Sequence, residues 1–207
     1  MHTSPQKYKK DGFTLVELLI SVGIFSLLAL GIAWLLINSL RSSEVVWDQL
    51  STQNDARRVL QEVVDSIRRA EQSDIGSYPI EAASSTGIIF YANIDTDTNR
   101  ERVRIWLDGT TVKRGIIHPG GDPLLYDEAN EQIVEIAHAT INTQQGNPLF
   151  TYYDTDYTGE EAPLADPPTI PSIRVVRIQL ELEKNLGESP VPFHAESVVH
   201  IRNLKEN

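Results

Sequence analysis

An apolar run at residues 13–37 constrains the fold of this chain more than any other feature of the sequence. Glu17 is the only charged residue within the run, and Lys7, Lys9 and Lys10 precede it. In a helix, about 20 apolar residues at roughly 1.5 Å each span the roughly 30 Å hydrocarbon core of a bilayer. The run therefore predicts a membrane-inserted helix, with the lysines holding the N-terminus on the cytoplasmic side.

Glu17 distinguishes between the kinds of N-terminal membrane segment. A secretory signal peptide fits poorly, because the run is too long and no small-x-small cleavage site follows it. A simple signal anchor accounts for the run and the lysines but leaves Glu17 unexplained. A carboxylate within a membrane helix costs about 2.5–3.5 kcal/mol on insertion scales, so we expect this one to have a partner and a function.

The start of the run reads Gly12-Phe13-Thr14-Leu15-Val16-Glu17, after a basic stretch and before the apolar helix. This order closely resembles the class III signal of bacterial type IV pilins and type II secretion pseudopilins. The resemblance implies that a prepilin peptidase cuts between Gly12 and Phe13 and N-methylates Phe13. It also implies an assembly role for Glu17. Asp11 departs from the pattern, because the family more often has a basic or neutral residue there.

Composition argues against several other classes of protein. The 207-residue chain has a formal net charge of −11 and an isoelectric point near 4.9, so a broad basic surface for nucleic acid is not indicated. Cysteine is absent, which excludes a disulfide, a thiol nucleophile and a thiolate metal site. The sequence has no Gly-x-Ser-x-Gly, phosphate-binding loop or His-Glu-x-x-His motif, and we expect no enzymatic activity.

Residues 13 to about 72 are predicted to form one long helix whose two halves differ. The first half is apolar all round, and the second has one apolar stripe opposite a charged face. We divide the chain into a leader at 1–12, a transmembrane and assembly half-helix at 13–38, an amphipathic half-helix at 39–75 and a β-rich head at 76–207. The stripe comprises Leu50, Ala56, Val59, Leu60, Val63, Val64, Ile67 and Ala70.

Beyond the helix the apolar periodicity changes to two, which is typical of strands. Asp108-Gly109 is a strong hairpin turn between two of them. The fold class is therefore α+β, with one long N-terminal helix packed on an antiparallel β-sheet. The family resemblance implies the same architecture. Strands are predicted at 87–92, 102–107, 110–116, 132–141, 149–153, 176–182 and 193–202.

An acidic stretch before the second predicted strand is a candidate metal site. Asp95, Asp97, Asn99 and Glu101 offer oxygen ligands at alternate positions, as the start of a calcium loop does. The glycine and the terminal glutamate of an EF-hand loop are missing, and Asp and Asn also favour tight turns. A tight turn is the preferred interpretation and calcium the alternative. The histidines, including His118, show no metal spacing and are expected to be solvated or to pack.

Together these features favour a structural assembly protein, and the length and closing strands look most like J-class minor pseudopilins or related minor pilins. The expected function is a minor subunit of a type IV pilus or type II secretion-type fibre, in a tip or initiation complex. The expected partners are prepilin peptidase, other pilins or pseudopilins contacted through the N-terminal helix, and the bacterial inner membrane. The protein would cross that membrane once, with its C-terminal domain extracytoplasmic. A major pilus subunit and a signal-anchored envelope binding domain remain open as alternatives.

Overall fold

The computed structural model describes residue 12, residues 14–183 and residues 192–204, and at residues 40–52 and 55 it describes the backbone alone. The chain divides into two compact units, Met1–Val46 and Trp47–Asn207. Phe13 and the first 11 residues of the predicted leader, with its three lysines, lie outside the described residues. The predictions about those residues therefore stay predictions.

Helix α1 runs Leu15–Arg68, which confirms the predicted long helix. The helix ends before the predicted boundary near residue 72, because backbone groups of Ala70 and Glu71 form hydrogen bonds outside the helix. The Glu71 amide donates to the carbonyl of Tyr91 in the sheet at 2.8 Å. The Asn203 side chain donates to the carbonyl of Ala70 at 3.0 Å, which satisfies a carbonyl group just beyond the helix end.

The first sheet is an antiparallel meander of five strands in the order β1-β2-β3-β4-β5. Gly109 has φ +62°, as the tight hairpin between β3 and β4 requires. Arg104 of β3 lies opposite Gly115 of β4, a pairing that matters below. The strands are β1 Ile80–Ser84, β2 Gly87–Ala92, β3 Glu101–Asp108, β4 Thr111–Ile117 and β5 Gln132–Ala137.

The second sheet has three antiparallel strands in the order β6-β7-β8. A short helix, α2 Asn142–Gln145, precedes β6 Phe150–Tyr153. Strands β7 Val175–Leu182 and β8 Phe193–His200 pair with each other along their whole length.

The α+β class is confirmed, but the strands form two sheets rather than one. The predicted strand at 132–141 is too long, because β5 ends at Ala137. Ala139 has φ 57°, and Thr140 then bridges to Leu182 of the second sheet. Residues 138–141 thus pass from one sheet to the other, which alternating polarity alone does not show.

The core of the second unit is one cluster formed by the stripe of α1 and by residues of both sheets. The stripe residues from Ala56 to Ala70 are all buried, which confirms the prediction for them, whereas the side chain of Leu50 lies outside the described part. Ile67 is 0% exposed, and Phe90 and Phe150 are among the largest fully buried side chains. Apolar burial of this kind contributes about 25 cal/mol per Å² and is the main stabilising term.

Candidate functional site

Thr14 and Glu17 cap the N-terminal end of α1 with reciprocal hydrogen bonds. The Glu17 amide donates to Thr14 Oγ1 at 3.3 Å, and the Thr14 amide donates to Glu17 Oε2 at 3.4 Å. This arrangement is a capping box, which satisfies amide groups that the first turn of a helix leaves unpaired. The Thr-x-x-Glu spacing before an apolar run could have predicted it from the sequence.

Capping does not exhaust the hydrogen-bonding capacity of the Glu17 carboxylate. Among the described residues, the Thr14 amide and the Thr14 hydroxyl donate to this carboxylate, and both of these bonds use Oε2. An ionised carboxylate offers about four lone-pair positions on its two oxygens. Oε1 can therefore accept a further donor, such as an amine, while the cap stays intact.

The segment Leu15–Ser39 of α1 is 25 residues long, and by length and composition it could cross a membrane. Its large apolar side chains are 53–76% exposed, from Ile37 to Leu15. A contiguous apolar surface of this size is rare on a soluble monomer and marks a surface for lipid or for other proteins. The predicted membrane segment is therefore consistent with the structure of the first unit.

Residues 7–33 match the family described as the prokaryotic N-terminal methylation motif. The chain carries that motif. The match includes Gly12, Phe13 and Glu17 and most of the apolar run, so the predicted resemblance to prepilin signals is confirmed. It covers the N-terminal segment alone and leaves the head outside.

One similar solved structure is the crystal structure of the GspK-GspI-GspJ complex from the enterotoxigenic Escherichia coli type 2 secretion system. The matching chain has a TM-score of 0.46 and 10% sequence identity with this protein. The similarity covers 73% of this chain and 98% of that chain. No curated protein matches the sequence.

The loop between β2 and β3, which contains three of the four candidate calcium ligands, is built from side-chain-to-backbone turns. Asp95 Oδ1 accepts the amide of Asp97 at 2.8 Å, and Asp97 Oδ1 accepts the amide of Asn99 at 2.7 Å. The Asn99 side chain also donates to Asp97 Oδ2 at 3.2 Å. Asp97 thus uses both oxygens within the turn, which supports the tight-turn interpretation. Calcium binding by this stretch stays a prediction.

Asp95 and Glu101 lie together with His118, and one ligand atom of each lies within 4.8 Å of the others. His118 Nδ1 is 3.5 Å from Glu101 Oε1 and 3.8 Å from Asp95 Oδ2. The spacing of residues in the sequence did not identify His118 as a candidate ligand, because strand pairing and not sequence proximity places it beside Glu101. Arg102 pairs with Ile117 across β3 and β4, so the residues just outside that pair are neighbours. The register of the predicted hairpin could have revealed this.

Glu101 is buried, with 0% of its side chain exposed, although it is an acidic residue. Its Oε2 accepts the amide of Ile94 at 3.0 Å, whereas Oε1 accepts no hydrogen bond from the part of the chain that the structure describes. Burial raises the pKa of the Glu101 carboxyl, the Ile94 hydrogen bond opposes this, and the nearby Asp95 carboxylate raises it further. A buried polar atom without a partner is costly and needs an explanation.

Glu81 and Arg102, which lie on the same sheet, form an ion pair that stabilises the fold. Arg102 donates from Nε and Nη2 to the two oxygens of Glu81, both at 2.7 Å, and Tyr91 Oη donates to Glu81 Oε2 at 2.6 Å. The Arg102 hydrogen bond lowers the pKa of the Glu81 carboxyl. Burial, followed by the bond to Glu81, raises the pKa of Tyr91 to about 12.

Proposed function

We propose that this chain is a minor pilin or pseudopilin, a structural subunit of a type IV pilus or type II secretion-type fibre. A prepilin peptidase would cut it after Gly12 and methylate the new amine of Phe13. The helix would then hold it in the inner membrane, with one crossing and with the head outside the cytoplasm, until it enters the fibre. We place it in a tip or initiation complex with other pilins or pseudopilins.

The observation that carries this proposal is the methylation motif at residues 7–33, directly at the start of a helix that could cross a membrane. The apolar side chains of that helix are exposed all round, so they suit lipid first and neighbouring helices after extraction. Positive charge before the helix, at Lys7, Lys9 and Lys10, favours a cytoplasmic leader.

Glu17 is the residue that we propose guides assembly. After the cut, the amine of Phe13 in the subunit docked ahead would lie near the Glu17 carboxylate, and Oε1 can accept it. Two opposite charges about 4 Å apart attract by roughly 4 kcal/mol at an effective dielectric constant near 20. That attraction offsets much of the cost of placing a carboxylate within the apolar layer.

A set of three variants separates assembly from helix capping. Glu17→Gln keeps a side chain that can complete a capping box but removes the charge. Thr14→Ala removes the cap but keeps the carboxylate, and Glu17→Asp keeps the charge on a shorter side chain. We expect all three to be cleaved and inserted, with Glu17→Gln largely excluded from the fibre, Glu17→Asp partly incorporated and Thr14→Ala incorporated well.

The measurement is the amount of each variant that co-purifies with the other subunits from membranes in mild detergent, relative to its amount in the membrane. Equal recovery of Glu17→Gln and the parent would refute the role of the charge. Loss of Thr14→Ala to the same extent as Glu17→Gln would assign the effect to capping. Recovery of the protein as the bulk of sheared fibres would indicate a major subunit instead. A retained leader, with no other subunit co-purifying, would indicate a signal-anchored domain.

A further inference from the structure

The buried side chain of Glu101 lies in a cluster with Asp95 and His118 that could hold a metal ion. Glu101 Oε1, Asp95 Oδ2 and His118 Nδ1 face one another, with Nδ1 at 3.5 Å from the first and 3.8 Å from the second. In a tetrahedral zinc site with ligands at 2.0–2.1 Å, ligand atoms lie about 3.4 Å apart. Nδ1 therefore needs to approach each of the two oxygens by only a few tenths of an ångström, and the ligand atoms of all three residues lie within 4.8 Å of one another.

Each carboxylate in the cluster has one oxygen fixed by the backbone and the other directed towards the histidine. Asp95 Oδ1 accepts the Asp97 amide, which leaves Oδ2 facing His118. Glu101 Oε2 accepts the Ile94 amide, which leaves Oε1 without a hydrogen bond from any described residue. Hydrogen bonds to the second oxygen are how proteins orient carboxylate ligands before a metal arrives.

We propose that Asp95, Glu101 and His118 bind a divalent transition ion of the Zn²⁺ type. The imidazole decides the class of ion, because calcium and magnesium prefer all-oxygen sites, whereas imidazole suits zinc and its neighbours. The cation would neutralise two carboxylates together: that of Asp95 and that of Glu101, whose buried Oε1 accepts no hydrogen bond from the described residues. This site lies in the head and does not depend on the proposed function in fibre assembly.

The surroundings leave room for the water that a site with three protein ligands requires. Asp95 and His118 line a cleft of about 450 Å³ that is open to solvent. Their side chains are 40% and 45% exposed, whereas Glu101 forms the buried floor of the site. A bound ion would join the loop after β2 to the end of β4, so it would restrain a loop that is otherwise held by its own turns.

The experiment measures Zn²⁺ binding to the full chain in detergent micelles by calorimetry, after removal of metal with a chelator, with Co²⁺ absorption as a probe of coordination. We expect one ion per chain at this site. Glu101→Gln, Asp95→Asn and His118→Gln should each weaken Zn²⁺ binding at least about 10-fold and change the Co²⁺ spectrum. Bound Zn²⁺ should also slow hydrogen exchange in loop residues 93–100.

Matched controls lie nearby in the same head. Asp97→Asn removes one loop charge but keeps an oxygen for the turn, and His138→Gln removes a histidine whose side chain is 67% exposed. Both should bind Zn²⁺ like the parent. Absence of Zn²⁺ binding, or binding unchanged in His118→Gln, would overturn the proposal. So would preferential Ca²⁺ binding that Asp97→Asn weakens. Asp95→Asn and His118→Gln alter exposed groups, so they decide the matter even if Glu101→Gln fails to fold.

Discussion

Gly115 lies beneath the side chain of Glu131, and replacing it with alanine should break an ion pair. A Cβ at Gly115 would lie 2.6 Å from Glu131 Cδ and nearer still to Oε1. Glu131 crosses this position to reach Arg104, which donates from Nε and Nη2 at 2.8 and 2.6 Å. Alanine therefore has to displace Glu131 from Arg104.

The size of the effect follows from the burial of the pair. The Glu131 side chain is 12% exposed and that of Arg104 is 34% exposed. Hydrogen bonds to charged groups contribute about 1.5–3 kcal/mol and exposed ion pairs about 0–1 kcal/mol, so about 1.5 kcal/mol is reasonable here. Alanine offsets about 0.4–1 kcal/mol of this by reducing the entropy of the unfolded chain. Gly115→Ala should therefore destabilise the head by about 1 kcal/mol.

The effect of Gly115→Ala on stability should reverse its sign in a protein that already carries Glu131→Ala. With the carboxylate gone, Gly115→Ala should stabilise by about 0.5 kcal/mol. The assay is urea unfolding of the compact unit Trp47–Asn207, with the four proteins of the double-mutant cycle. Gly120→Ala is the control, because a Cβ there meets no atom of the described residues within 4 Å. The same destabilisation by Gly115→Ala in both backgrounds would refute the reasoning.

Two further predictions concern the core and the paired tyrosine. Ile67→Asp should destabilise the head by more than about 3 kcal/mol and lower Tm by at least about 6 °C, because it buries an unpaired charge. Arg68→Ala, at a side chain 54% exposed, should stay within about 0.5 kcal/mol of the parent, and equal melts of the two variants would contradict the packing. Tyr91 has its pKa raised to about 12, so its contribution to stability should be complete below its ordinary pKa of 10.0 and lost as pH rises from there to about 12. Tyr91→Phe should abolish that part of the alkaline loss in denaturation curves, and an unchanged curve would rule out the assignment.

The parts of the fold that depend on local pattern could be predicted from the sequence. The stripe from Ala56 to Ala70 recurs at helical spacing, and the hairpin at Asp108-Gly109 has its own turn chemistry. Strand β1, at Ile80–Ser84, was missed because it is short and contains two alanines and a serine. Its existence depends on pairing with β2, a tertiary contact.

The division into two sheets depends on a conformation that the alternating pattern does not encode. Ala139 adopts a positive φ without being glycine, and Thr140 then pairs in the other sheet. Thr140 is fully buried there, which a threonine in an alternating pattern does not reveal.

The candidate sites also differ in how far the sequence alone predicts them. The methylation motif is contiguous, so the match at residues 7–33 could be predicted from the order of its residues alone, whereas the roles of Gly12, Phe13 and Glu17 stay predictions. The cluster at Asp95 and Glu101 needed His118 from the neighbouring strand, and only strand register supplies it. The alternate spacing suggested Asp97 as a metal ligand, but both of its carboxylate oxygens accept hydrogen bonds within the turn.

Intact-mass analysis of the protein extracted from membranes tests the central claim most directly. The account predicts a chain that begins at Phe13 and carries one added methyl group on its amine. Gly12→Leu should leave the leader attached, which gives the matched uncut form. A parental protein that still carries Met1 to Gly12 would contradict the account.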